Sequence, residues 1–297
     1  MKQIYENAIN NRYDFVYFFD VENGNPNGNP DADNMPRMDP ETGYGIVTDV
    51  CVKRKIRNFI EAKYCDATGF DIYVKQNAVL NIQEKRGLEA ITSPPELKVE
   101  RSLEFRSAMC KAFYDIRTFG AVMTTAAKDK TILNTAGQVR GPVQIGFARS
   151  IDPIVPSQIT ITRVAVTNEK DAENKSQEMG SKYIIPYAMY RQEGYISANL
   201  ARTVTGFSDK DLEIFWESII HMFDDDRSSS RGKMALRELI VFKHDSPFGN
   251  APAHKLFDRI NVVRKNINII PRSYKDYLVN VNEEDMPAGI SCIRMYS

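Results

Sequence analysis

The sequence is poor in the side chains that carry most enzyme chemistry. Its 297 residues hold three histidines, four cysteines and one tryptophan, and Lys plus Arg balance Asp plus Glu at 39 each. Cys51, Cys65, Cys110 and Cys292 form no Cys-x-x-Cys pair, and His221, His244 and His254 are scattered, so a disulfide framework and a zinc-ribbon spacing are both excluded. Reduced cysteines in a cytoplasmic protein are the expectation. No stretch approaches a membrane span, and residues 1–11 hold no apolar segment of signal-peptide length, so neither membrane insertion nor secretion is expected. Gly-x-Gly-x-x-Gly, the Gly-Lys-Ser/Thr end of a P-loop and the Gly-x-Ser-x-Gly elbow are all missing, which argues against nucleotide hydrolysis and against a serine hydrolase. A net charge of zero removes bulk attraction to phosphate, yet it leaves room for a local basic face.

What is present is a chain with 42% hydrophobic residues, enough to bury a large core. Residues 13–20 (YDFVYFFD) are aromatic and β-branched and read as a buried strand. Residues 22–40 are so rich in Gly, Asn, Asp and Pro that regular structure is not expected, and a loop of that length inside a domain is usually functional. Thr48 is placed to cap a helix whose Val52, Ile56, Phe59 and Ile60 share one face. Residues 70–75 (FDIYVK) read as a second strand and residues 98–119 as a second long helix. Strand character returns in residues 138–150, 157–167 and 183–195, with the polar stretch 168–182 between the last two making a projecting hairpin. Residues 209–223 form a third amphipathic helix, on which Trp216 and His221 read as packing residues. This order points to a ferredoxin-like α+β core with insertions, in one domain over residues 1–297.

Charge is segregated along the chain. Residues 49–63 carry five basic and two acidic side chains, residues 209–226 seven acids and one Lys, and residues 227–243 five basic residues and one Glu. Lys53 and Arg57, four apart, lie beside the apolar stripe of the first helix with Arg54 next to them. Residues 24–28 (GNPNG) read equally as a turn cluster and as a loop whose backbone NH groups approach a phosphate while Asn side chains add hydrogen bonds. Loop amides and helix cations would then converge on one sugar-phosphate track. Asp31, Asp33 and Asp39 in the same loop read as solvated turn acids, or alternatively as Mg²⁺ ligands for phosphodiester cleavage. Residues 227–232 (RSSSRG) read as a polar turn between helix and strand, or alternatively as a turn that offers Arg231 to a phosphate.

Residues 11–58, NRYDFVYFFDVENGNPNGNPDADNMPRMDPETGYGIVTDVCVKRKIRN, resemble the signature of the CRISPR-associated backbone subunit of Cascade, in its subtype I-C form. The resemblance continues through RTFGAVM (117–123), VRGPVQ (139–144), SIDP (150–153) and MALRELIVF (234–242) and so covers nearly the whole chain. It implies a non-enzymatic RNA-binding protein: a modified RNA-recognition, ferredoxin-like palm with inserted finger or web segments at about residues 22–47 and a β-hairpin thumb at about residues 159–187. Copies would polymerise head to tail along a CRISPR guide RNA, leaving the guide open to pair with target DNA, alongside guide-processing, large and small Cascade subunits. No cofactor, metal or membrane is implied. The RNA-binding positions it points to are Asn23, Gly24, Asn25, Asn27 and Gly28 in the first loop and Met35 and Arg37 in the finger. To these it adds Lys53, Arg54 and Arg57 on the first helix, Arg140, Gln144 and Arg149 near the palm, Met179 as a thumb wedge, and Arg231. Related type III subunits cut RNA with a loop Asp, so a metal-dependent ribonuclease using Asp31 or Asp33 is the alternative.

Overall fold

The computed structural model describes residues 4–89, 99–123, 137–167 and 177–297. Strand β1 (Tyr13–Gly24) runs through its middle and is buried from Tyr13 to Val21. Three short strands follow, β2 (Gly28–Asn29), β3 (Met35–Pro36) and β4 (Tyr44–Val47), and then helix α1 (Asp49–Tyr64). Helices α2 (Leu80–Glu89), α3 (Val99–Ala112) and α4 (Tyr114–Phe119) lead to strands β5 (Gly120–Met123) and β6 (Gly137–Arg140). Next come β7 (Val143–Ile145), β8 (Ala148–Pro153), β9 (Ser157–Arg163) and the long β10 (Glu178–Ile196). Helix α5 (Asp209–His221) and strand β11 (Lys233–His244) complete the core. A short helix α6 (Ala253–Phe257), the hairpin β12 (Ile260–Arg264) and β13 (Tyr277–Val281), and edge strand β14 (Ile290–Tyr296) close the chain.

The main sheet is antiparallel in the order β14-β11-β1-β10-β8-β4, with β7 and β9 also paired to β10. Within it, β1, α1, β8, β10, α5 and β11 follow one another as β-α-β-β-α-β, an α+β arrangement with insertions. Both helices cover one face. Val52, Ile56 and Ile60 of α1 and Leu212, Phe215 and Ile219 of α5 pack on Phe15, Tyr17 and Phe19. The opposite face carries Val16, Phe18, Ile240 and Phe242 beneath Leu256, Phe257, Ile260, Tyr277 and Val279. A strand covered on both sides has no polar face to alternate with, which is why residues 13–20 are a continuous apolar run except for Asp14 and Asp20. Helix starts follow local chemistry: Thr48 Oγ accepts from Cys51 N at 3.4 Å, and Ser208 forms a capping box with Asp211.

Several expectations are corrected. Residues 70–75 are not a strand, since Asp71 makes a single bridge to Phe113 and the amides of Tyr73 and Val74 donate to the Asp115 carboxylate at 2.8 and 3.1 Å. A side chain forty residues on takes the hydrogen bonds that a neighbouring strand would have supplied. The second long helix is two helices, because Phe113 is extended (φ −114°, ψ 115°) to make that bridge; Lys98 lies outside the described residues. The stretch 22–40 is less irregular than its composition implies, since β2 pairs β3.

From Ser157↔Ile184 to Arg163↔Glu178, β9 and the start of β10 form a hairpin exposed along all of β9, and from Ile185 onward β10 enters the main sheet beside β1. Of the polar stretch 168–182 expected between the two strands, residues 168–176 lie outside the described residues, and residues 178–182 belong to β10. Among the described residues no helix is long and apolar enough to cross a membrane.

Candidate nucleic-acid interface

The loop after β1 folds by close backbone approach and by asparagine hydrogen bonds. A Cβ at Gly24 would sit 1.9 Å from the Arg231 carbonyl oxygen, so only glycine lets the loop touch the 226–231 turn. Asn25 N donates to Ser230 O at 2.8 Å and Asn25 Nδ2 to Asn34 O at 2.7 Å. Asn27 Oδ1 accepts from both the amide and the hydroxyl of Thr48 at 3.0 Å, fastening the loop to the cap of α1. Arg37 N donates to Asn27 O, and Ile46 N to Arg37 O. Gly24→Ala is therefore expected to lower the urea midpoint by an equivalent of about 1–3 kcal/mol, the usual range for forced overpacking. Gly146→Ala, whose Cβ meets nothing nearer than 3.6 Å, is the control that leaves it in place.

This loop, the first two turns of α1, the 226–231 turn and Phe147 enclose an open cleft of about 780 Å³. Its walls carry Arg37, Arg54, Lys55 and Arg231 against Asp49 and Asp226, a surplus of two positive charges. The two kinds of cation differ in freedom. Lys55 is buried and paired with Asp226, whose other oxygen holds Arg231 Nη1 at 2.8 Å, so this triad ties α1 to the turn. Arg54 is exposed and donates only a 3.3 Å hydrogen bond to Gln76 Oε1. Arg37 is half-buried, its backbone fixed, and its Nε is buried without a hydrogen-bond partner among the described residues; Asn25 Oδ1 is in the same condition. Burial pushes the Cys51 thiol up, Lys55 opposing and Asp226 reinforcing the shift. Cys51 accordingly stays a thiol at neutral pH and faces the Pro26 carbonyl oxygen at 3.5 Å. Fixed donors and cations around an open trough suit a phosphate backbone.

Of the positions marked in the sequence, Asn25, Asn27, Gly28, Arg37, Arg54 and Arg231 line this cleft together. Asn23 (φ 51°) and Gly24 shape the loop behind it, and Met35 sits half-buried on β3. Lys53 and Arg57 lie on another flank of α1. Lys53 Nζ is 2.8 Å from Asp49, Arg57 Nε is 2.8 Å from Asp115, and both cations stand over the Phe119 ring, their side chains only 15% and 13% exposed. The structure gives both of them intramolecular partners. Arg140 is exposed on β6, and Gln144 Nε2 donates to Gly141 O at 3.1 Å on β7. Arg149 is 64% exposed on β8 with Asp39 3.6 Å away, and Met179 is 79% exposed on the hairpin. None of these last four lines the cleft.

Lys55 stood in the sequence only as one of the basic cluster Lys53, Arg54, Lys55 and Arg57, and its pairing with Asp226 was missed. Lys55 falls three residues after Val52 and four before Phe59, on the apolar side of α1, and that placement was its only signal. The three loop acids do not converge. Asp31 sits in a 3-10 turn, Asp33 ends it at φ 48°, and Asp39 accepts from Glu41 N, an interaction that with Thr42 holds its carboxyl below the usual range. Among the described residues no three His, Cys, Asp or Glu side chains gather as a metal site.

A family model described as "CRISPR-associated protein Cas7" matches residues 11–282. A curated relative of the same description from Haloferax volcanii is 27% identical over 290 residues, covering 92% of this chain and 81% of its own length. Among solved structures, a chain of a CRISPR RNA-guided surveillance complex in a pre-nicking state superposes with a TM-score of 0.48 at 13% identity, over 78% of this chain and 75% of that one. A chain of a second CRISPR RNA-guided surveillance complex gives 0.46 at 12% identity, over 78% and 68%.

Proposed function

The chain belongs to the CRISPR-associated protein Cas7 family, and on that premise we propose that it is a non-catalytic subunit that binds CRISPR guide RNA and polymerises along it as the backbone of a type I-C surveillance complex. The single observation that carries the RNA reading is the cleft, where one loop, one helix and one turn bring Arg37, Arg54 and Arg231 around an open trough in an otherwise neutral protein. Cations fixed to the scaffold bind phosphate without reading bases, which suits a subunit whose sequence choice is left to pairing between guide and target DNA. The modified RNA-recognition palm gives the trough its rigid floor. The exposed β9–β10 hairpin serves as the thumb that contacts the next copy, with Met179 as its wedge, while Arg140, Gln144 and Arg149 extend the RNA track. Guide-processing, large and small subunits complete the assembly in the cytoplasm.

We assign no cleavage to the loop acids, because Asp31 and Asp33 sit in and at the end of a 3-10 turn, Asp39 is engaged with its own turn and with Arg149, and among the described residues no three metal-ligating side chains gather. Purification from cells that carry a CRISPR array tests the binding reading. Small RNA of uniform length is expected to co-purify, and its retention should fall linearly in log–log terms as salt rises. Recovery of protein free of RNA at low salt, or binding indifferent to salt, would remove the reading. Incubating the assembly with complementary RNA and Mg²⁺ is expected to leave that RNA intact; periodic cuts lost in Asp33→Ala would establish the ribonuclease instead.

A further inference from the structure

Resting on the guide-RNA reading above, we propose that Asn25 accepts a hydrogen bond from a ribose 2′-hydroxyl, so that the cleft selects RNA over DNA by its sugar. Asn25 is 8% exposed, lines the cleft, and its buried Oδ1 has no hydrogen-bond partner among the described residues. Buried side-chain oxygens are almost always paired, so an orphan beside a binding trough calls for a donor that the protein does not supply and that a bound strand can bring. The amide orientation follows from its surroundings. Nδ2 donates to the Asn34 carbonyl at 2.7 Å, and the flipped amide would press two oxygens together. The unsatisfied atom is therefore an acceptor, and it needs a donor.

The neighbouring groups need the opposite. Arg37 Nε is a buried donor without a partner, and Arg54 and Arg231 present guanidinium donors to the same space. A phosphodiester satisfies all of these, because it only accepts. It cannot satisfy Asn25, and neither can deoxyribose, since a DNA backbone holds no hydrogen-bond donor. In a nucleic-acid backbone the 2′-hydroxyl is the group that donates. A strand whose phosphates meet the arginines completes the cleft only if its sugar is ribose. Base amino groups also donate, but they would make binding depend on base identity.

The test measures binding of the full chain to a short single-stranded homopolymer with ribose, 2′-deoxyribose or 2′-fluororibose. The fluoro sugar keeps a ribose-like pucker while removing the donor. Both modified strands are expected to bind roughly tenfold more weakly per contact, the scale of a buried acceptor left unpaired. Asn25→Ala, checked for native circular dichroism, is expected to bring the ribose and fluoro affinities together through loss on the ribose side. Because Asn25 also fastens Asn34, the wild-type series stands by itself: equal binding of ribose and fluoro strands overturns the proposal while leaving the phosphate reading intact. A sugar preference that survives in folded Asn25→Ala overturns it too, as does a preference that follows the base instead of the sugar. If wild type binds none of the three strands at low salt, the guide-RNA reading fails and this proposal with it.

Discussion

Arg37→Ala combined with Arg54→Ala is expected to weaken binding of single-stranded RNA by about a hundredfold or more, whatever the sequence. A hydrogen bond to a charged group contributes about 1.5–3 kcal/mol, at least tenfold in affinity for each residue removed. The loss should carry its own salt signature, the log–log slope becoming shallower by about 0.7 for each phosphate contact removed from a single strand. Folding should survive. Arg54 is exposed with one hydrogen bond to Gln76, and removing Arg37 removes a buried donor that has no partner. Lys53→Ala with Arg57→Ala is the discriminating control. Those cations are held by Asp49, Asp115 and the Phe119 ring, so their removal is expected to lower the melting temperature while the folded fraction binds RNA nearly as before. Equal affinity loss in both double variants at equal stability would move the RNA track to the other flank of α1.

That contrast shows what could be read from the sequence and what could not. The stripe Val52, Ile56, Ile60 fixed the buried face of α1 because helical periodicity is a local property, and the apolar run 13–20 fixed the central strand for the same reason. Which cations on α1 are free is not local. Lys53, Arg54, Lys55 and Arg57 are adjacent in sequence, yet each meets a different partner: Asp49 one turn back, Gln76 in the next loop, Asp226 from beyond α5, and Asp115 in α4. The partners of Lys55 and Arg57 lie 171 and 58 residues away, beyond any window of periodicity. Residues 70–75 failed as a strand for a related reason, since their amides are taken by the Asp115 carboxylate. The loop 24–28 stood out in the sequence through its glycines and asparagines, and residues 25–28 line the cleft. That Asn25 ends with an unpaired acceptor depends on the Asn34 carbonyl and could come only from the fold.

Arg117→Met is expected to destabilise the fold by about 3–5 kcal/mol, the cost of breaking a buried ion pair by removing one partner. Arg117 is buried, and every nitrogen of its guanidinium is used. Nε and Nη2 donate to the two Asp211 oxygens at 3.0 and 2.7 Å, Nη1 to Cys110 O at 2.7 Å, and Nη2 also to Gly69 O at 3.0 Å. The Cys110 carbonyl belongs to the last turn of α3, where helical carbonyls lack an internal partner, so Arg117 also caps that helix. Asp211 in turn accepts from the amide and hydroxyl of Ser208 at the start of α5. One side chain thus joins α3, α4, the 69 turn and α5, the helix that packs beside α1 on the sheet. Methionine would fill the volume but take the donor from Asp211 Oδ1 and from the Cys110 and Gly69 carbonyl oxygens, leaving the buried carboxylate only its Ser208 contacts and no counter-charge from Arg117. The double variant Arg117→Met, Asp211→Leu should recover part of the loss, because it removes the stranded charge, although the half of the capping box that the Asp211 carboxylate supplies is lost with it. Urea unfolding of the wild type, the two single variants and the double closes the cycle. A coupling near zero would mean that the pair adds nothing beyond its separate parts, and that α5 is held against α1 by apolar packing and by the Glu217 contacts to Lys63 and Tyr64.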